Sequence, residues 1–145
     1  MFFQEGYQLS EDQKRMDVTA IHSFLTTSYW ARGIPIEIVE RAVRNSLAFG
    51  VFRSGAQVGF ARVVTDGATF AYLADVYILE AHRGKGLSKA LIHHIIGHPQ
   101  LQGLRRFILA TRDAHGLYAQ NGFKPLAAPD TFMEILNPNV YTSKG

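Results

Sequence analysis

The chain contains no cysteine, one tryptophan and five prolines in 145 residues. Without thiols it can have no structural disulfide, thiolate nucleophile or cysteine-ligated metal. No apolar run approaches the ~20 residues that a helix needs to cross a bilayer. Met1 is followed by Phe-Phe-Gln-Glu, which lacks the basic start and long apolar core of a secretory leader. A soluble, cytoplasmic protein that does not engage membranes is therefore the expectation. Charged residues are few, at 19%, and apolar ones reach 47%, a balance that excludes disorder as a class. The net charge of +3 and pI near 9.3 suit an anionic small molecule or simple solubility. They also allow a nucleic-acid-binding module, which ranks last because the arginines and lysines concerned have a better use below. No repeat or linker divides residues 1–145, which read as one domain large enough to bury a core.

Periodicity then orders the elements. A strand is expected near Tyr7–Ser10. Val18, Ile21, His22 and Leu25 form a helical stripe behind Asp17, a good N-cap. After the aromatic loop Tyr29-Trp30-Ala31-Arg32-Gly33, Pro35 opens a second helix carrying Ile36, Val39 and Val43. Strands at Leu47–Arg53, Gln57–Thr65 and Thr69–Leu79 are joined by glycine turns, as in an antiparallel meander. A helix follows, with Leu87, Ala90, Leu91, Ile95 and Ile96 on one side. A strand at Arg105–Thr111, a short helix near His115–Asn121, and strands at Phe123–Leu126 and Thr131–Leu136 complete the chain. The order β-α-α-β-β-β-α-β-α-β-β predicts an α/β sandwich with a mixed, mostly antiparallel sheet flanked by helices.

Between the meander and the long helix lies His82-Arg83-Gly84-Lys85-Gly86-Leu87-Ser88. A strand that ends in a glycine-rich, basic turn opening a helix aims several backbone N–H groups and a positive helix end at one spot. An anion, most plausibly a phosphate, fits there. The spacing is neither that of a Walker loop nor that of a dinucleotide fingerprint. A plain glycine turn with solvated basic residues is the alternative.

The segment Asp75-Val76-Tyr77-Ile78-Leu79-Glu80-Ala81-His82-Arg83-Gly84-Lys85-Gly86-Leu87-Ser88 resembles the acetyl-CoA signature of the GNAT N-acetyltransferase superfamily. Ala114-His115-Gly116-Leu117-Tyr118-Ala119-Gln120-Asn121-Gly122-Phe123 is similar to that superfamily's A-x-x-x-Y-x-x-x-G-F. The two matches, in this order, cover almost the whole chain together with the meander before them. The resemblance implies an acetyl-CoA-dependent enzyme that moves an acetyl group to a primary amine, small-molecule or protein, by direct attack in a ternary complex. Arg83, Gly84, Lys85, Gly86, Leu87 and Ser88 would hold the coenzyme A pyrophosphate. Val76, Tyr77 and Ile78 would offer strand-edge backbone to the pantetheine arm, where this strand splays from the next. A free N–H there would steady the developing oxyanion.

Tyr118 would protonate the leaving thiolate, or else only pack its ring in the core. Asp75 is the candidate general base, because an alkylamine of pKa about 10.4 is only ~0.04% neutral at pH 7. Its alternatives are structural pairing with an arginine, and proton loss through ordered water. Strand alternation places Asp75 on the face of Leu73 and Tyr77. Thr111 stands where many relatives carry asparagine, and Ser88 where glycine or alanine is usual. Arg112 and Asp113 are candidates to face the cofactor or acceptor, with helix capping the preferred reading for Asp113. Tyr29, Trp30 and Arg32 are candidate acceptor contacts through cation–π or carboxylate pairing; packing of the loop onto the core is the alternative. His94 and His98 read as a solvated helix end and no metal site is expected. His22 and His115 are left open. A homodimer paired through the last strands also follows from the resemblance. A non-catalytic acyl-CoA sensor or partner-binding domain would use the same pocket.

Overall fold

The computed structural model describes Phe3 and residues 5–142. Its main elements are β1 (Gln8–Ser10), α1 (Val18–Leu25), α2 (Ile36–Arg44), β2 (Leu47–Arg53), β3 (Ala56–Thr65), β4 (Phe70–Ile78), α3 (Leu87–Ile96), β5 (Arg106–Ile108) and α4 (His115–Ala119). The five strands form one sheet in chain order. Neighbours are antiparallel up to β4, and β5 joins β4 in parallel. The expected mixed sandwich is therefore present.

Local chemistry sets the boundaries. The Asp17 carboxylate accepts the Ala20 N–H at 3.1 Å, capping α1 as its sequence position suggests. Ser54 and Gly55 both have positive φ, +52° and +84°, which matches the twist of the tight β2–β3 hairpin. At the β3–β4 turn the Asp66 carboxylate accepts the N–H groups of Ala68, Thr69 and Phe70. These bonds to the charged form, with one from the Thr69 hydroxyl, hold its pKa well below the ordinary carboxylate range. A Cβ at Gly59 would crowd three neighbours, at 2.6 Å from Ile78 Cδ1, 3.1 Å from the Tyr77 carbonyl oxygen and 3.2 Å from Val51 Cβ.

Two apolar layers cover the sheet. On one face Phe49, Val51, Val63 and Leu73 pack against Leu87, Leu91, Ile92 and Ile95 of α3. On the other, Phe60 and Tyr77 pack against Ile21 and Leu25 of α1 and Val39 and Val43 of α2. Side chains buried this fully contribute about 1.5–3 kcal/mol each relative to exposure.

Leu73 and Tyr77 thus lie on opposite faces, which corrects the alternation expected from the sequence. The cause is a β-bulge. Phe60 pairs with Tyr77 and Arg62 with Ala74, so Asp75 and Val76 together oppose Ala61 alone. Asp75 takes up the kink with φ +57°, a conformation that aspartate tolerates better than most residues.

The end of the chain also differs from expectation. Ladder pairing of the strand expected at 105–111 stops at Ile108, and Phe123–Leu126 and Thr131–Leu136 form no strand at all. Phe123 is held by ring contacts with Phe107 and Tyr118. Farther on, Met133 and Ile135 are wholly exposed. Apolar residues alone do not make a strand, which forms only where an edge receives it.

Candidate active site

β4 and β5 pair only at Phe70–Arg106, Ala71–Phe107 and Tyr72–Ile108. Beyond Tyr72 they part, and a cleft of about 580 Å³ opens between them. Leu73, Ala74, Asp75 and Val76 line one wall. Leu109, Ala110, Thr111 and Tyr118 line the other. The bulge at Asp75 adds to the splay, since it bends β4 just where pairing with β5 has stopped. β4 thereby keeps backbone groups on its β5 side that no strand claims.

The same strand leads into the glycine turn. Gly84 and Gly86 have φ of +80° and +78°, both left-handed, so glycine is required for conformation there. A Cβ on Gly84 would meet nothing within 4 Å, which leaves the turn open on its outer side. The first bond inside α3 runs from Ala90 N–H to Gly86 C=O. The amides of Leu87, Ser88 and Lys89 therefore point out of the helix end, with its positive dipole behind them. Leu87 is anchored by its buried side chain and offers only its backbone. Arg83 turns back, its Nε donating to the Ile78 carbonyl at 2.8 Å, and so ties the turn to the end of β4. Tyr77 stacks on Phe24 at 4.0 Å, and its buried hydroxyl has no partner among the described residues. Its side chain lies away from the cleft, and burial raises its pKa above the tyrosine range.

Tyr118 is buried in α4, and burial, with Tyr29 and Asp113 nearby, pushes its pKa up to about 12. The phenol therefore keeps its proton at neutral pH. Both oxygens of Asp75 are occupied: Oδ2 accepts Arg62 Nε at 2.6 Å, and Oδ1 accepts the Trp30 indole N–H at 2.8 Å. The arginine pairing anticipated as an alternative is present.

Tyr29 and Trp30 both line the cleft. The Tyr29 hydroxyl accepts the Arg112 N–H at 3.2 Å, and the Arg112 guanidinium lies 3.8 Å over its ring. Arg32 is exposed and does not line the cleft; Arg62 and Arg112 are the arginines that do. Thr111 lines it as well, and its hydroxyl accepts the Ala114 N–H at 3.1 Å. That bond corrects the expected capping role of Asp113, which faces the cleft instead.

The sequence profile described as the Acetyltransferase (GNAT) family matches residues 7–123. The chain belongs to this family. This GNAT acetyltransferase is 34% identical to the Gibberella zeae protein FG08082, an acetyltransferase by name, over 79% of this chain and 77% of that one. It is 51% identical to a GNAT-family crystal structure from Xanthomonas campestris pv. campestris, at a TM-score of 0.92 over 94% and 97% of the two chains. A Clostridium acetobutylicum acetyltransferase crystallised with acetyl-CoA shares the fold, at 14% identity and a TM-score of 0.65 over 90% and 94%.

Among the charged and aromatic cleft residues of the acetyltransferase, Arg62, Tyr72 and Tyr141 escaped sequence reasoning. Arg62 sits on a strand with no local signal, and the other two read as ordinary aromatic positions. His94 and His98 also depart from a solvated helix end, since each ring Nε2 lies 2.8 Å from a Glu11 oxygen. More than eighty residues separate Glu11 from these two histidines, beyond any spacing rule. His98 Nδ1 accepts the Gln100 N–H, so its Nε2 carries the proton and donates to Glu11. Among the described residues, no group of three or more His, Asp or Glu is arranged to hold a metal ion. His22 bonds the Ile34 carbonyl at 3.1 Å and is not part of the cleft lining. No helix among the described residues is long and apolar enough to cross a membrane.

Proposed function

We propose that this protein is an N-acetyltransferase that uses acetyl-CoA to acetylate a primary amine by direct attack in a ternary complex. The observation that carries the reading is the parting of β4 from β5 between the glycine turn and Tyr118. The site fits the coenzyme chemically. Open left-handed glycines and outward amides of Leu87, Ser88 and Lys89 suit a pyrophosphate. The unclaimed edge of β4, with Val76 in the cleft lining, suits an extended arm carrying amide groups.

Acetyl-CoA would supply an activated acyl carbon as a thioester. An amide N–H on the β4 edge near Val76 would steady the charge that grows on the acyl oxygen. The acceptor reaches the cleft as ammonium and gives one proton to water. Its C–N bond to the acyl carbon forms as the C–S bond breaks. Tyr118 hydrogen-bonds the departing sulfur and transfers its phenolic proton, regaining one from the second proton that the nitrogen sheds. With Arg62 and Trp30 on its two oxygens, Asp75 is assigned to orienting the acceptor, and water takes its first proton.

Small molecules and exposed protein lysines both fit this chemistry. A second copy of the chain is the proposed partner, because the apolar side chains of Met133, Ile135 and Leu136 are uncovered in one chain.

The test is thermal shift with acetyl-CoA, coenzyme A and ATP, followed by thiol release over an amine panel. A ligand at a hundred times its Kd adds about 2.7 kcal/mol of stability. Stabilisation by both coenzyme forms, with turnover on an amine, is expected. Binding with no turnover would leave an acyl-CoA sensor, and no binding would overturn the site.

A further inference from the structure

Two side chains of one loop hold opposite walls of the cleft. Trp30 donates to Asp75 Oδ1 on β4, and Tyr29 accepts from Arg112 in the segment after β5. The guanidinium of Arg112 lies over the Tyr29 ring as a second tie. The loop between α1 and α2 is thus a strap that ties the two walls together through two adjacent residues. Its fastening on β4 uses the one oxygen of Asp75 that Arg62 does not occupy.

We infer that the acceptor unlatches this strap: its ammonium replaces the Trp30 indole N–H on Asp75 Oδ1. The inference rests on the cleft being the acceptor site, as proposed above. A carboxylate bonds a cationic donor more strongly than a neutral one. A primary ammonium, with three N–H groups on a slim head, therefore gains by the exchange. An alcohol or an amide offers no more than the indole already gives. Arg62 stays on Oδ2 throughout and keeps the carboxylate in place. Once freed, the Trp30 ring presents a face to the acceptor's stem, where a cation or an apolar chain can stack. The device selects unhindered primary alkylammonium over neutral nucleophiles of equal size, and makes Trp30 a specificity-determining residue.

Trp30 is the sole tryptophan of the chain, so its emission reads the latch directly. The protein, saturated with coenzyme A, is titrated with n-pentylamine and separately with n-pentanol. Pentylamine is expected to give a saturable red shift as the indole passes from the carboxylate to water, and pentanol none. Asp75→Asn is expected to abolish the shift. Trp30→Phe, which keeps a ring but no donor, is expected to lower the amine KM severalfold, whereas a purely stacking role would raise it. Emission indifferent to pentylamine, or equally sensitive to pentanol, overturns the exchange. If coenzyme A still raises the Tm in that case, the acetyl-CoA reading stands without the latch. A protein that fails to bind coenzyme A but gives the pentylamine shift would show the reverse.

Discussion

Arg62 and Asp75 face each other across β3 and β4, with Nε 2.6 Å from Oδ2 and both side chains largely withdrawn from water. The pair brackets the bulge that opens the cleft, so it supports fold and site together. Removing one partner strands a charge in a half-buried place. Arg62→Met is expected to cost about 1–3 kcal/mol, less than a fully buried pair because solvent screens part of the loss. Adding Asp75→Asn should recover part of it, since no charge is then left unpaired. Chemical denaturation of the wild type and these two variants measures both effects.

The start of α3 allows stability and binding to be moved in opposite directions. An acidic side chain in the first turn stabilises a helix by about 0.3–1 kcal/mol. Ser88→Asp is therefore expected to raise the stability of the free protein slightly while weakening coenzyme A, because its charge would repel the pyrophosphate. Gly86→Glu should weaken binding more strongly, by adding backbone strain at φ +78°. Thermal shift with and without coenzyme A checks both. Undiminished affinity in Ser88→Asp would remove the phosphate from this turn.

Tyr118→Phe is expected to lower turnover by about 10²-fold or more, with a smaller change in coenzyme affinity. The phenol pKa near 12 sets the pH dependence. Tyr118 stays protonated through pH 10, so turnover should climb as the amine loses its proton and show no alkaline fall from this group below about pH 11. The sign for stability follows from the same shift. A phenol raised in the folded state favours folding below pH 10, and that contribution disappears as pH rises through 12. A pH–rate profile of the wild type and an alkaline denaturation series of Tyr118→Phe test the two halves.

The uncovered segment Met133–Leu136 predicts self-association. The chain is expected to elute at about twice its 16.2 kDa mass, because exposed apolar side chains on an unpaired strand-like segment invite pairing. Ile135→Glu should give a monomer without lowering protomer stability, since Ile135 touches little in one chain. Light scattering after gel filtration decides. A wild-type monomer at every concentration would rule out the pairing.

Sequence alone established the mixed α/β order, the meander, the capping of α1 by Asp17 and the glycine turn at the start of α3. Each of these is written in neighbouring residues: hydrophobic period, turn chemistry and cap spacing act over a few positions. Tyr118, Tyr29 and Trp30 were also legible, and all three line the cleft. Tertiary structure decided the rest. The bulge at Asp75 depends on register with Ala61, which no single strand reveals, and it turned Leu73 and Tyr77 to opposite faces. Arg62, forty-five-residue contacts such as Trp30–Asp75, and the joining of Glu11 to His94 and His98 arise from strands and helices brought together by burial. The strands expected at Phe123–Leu126 and Thr131–Leu136 did not form, because a strand exists only when another edge supplies its hydrogen bonds.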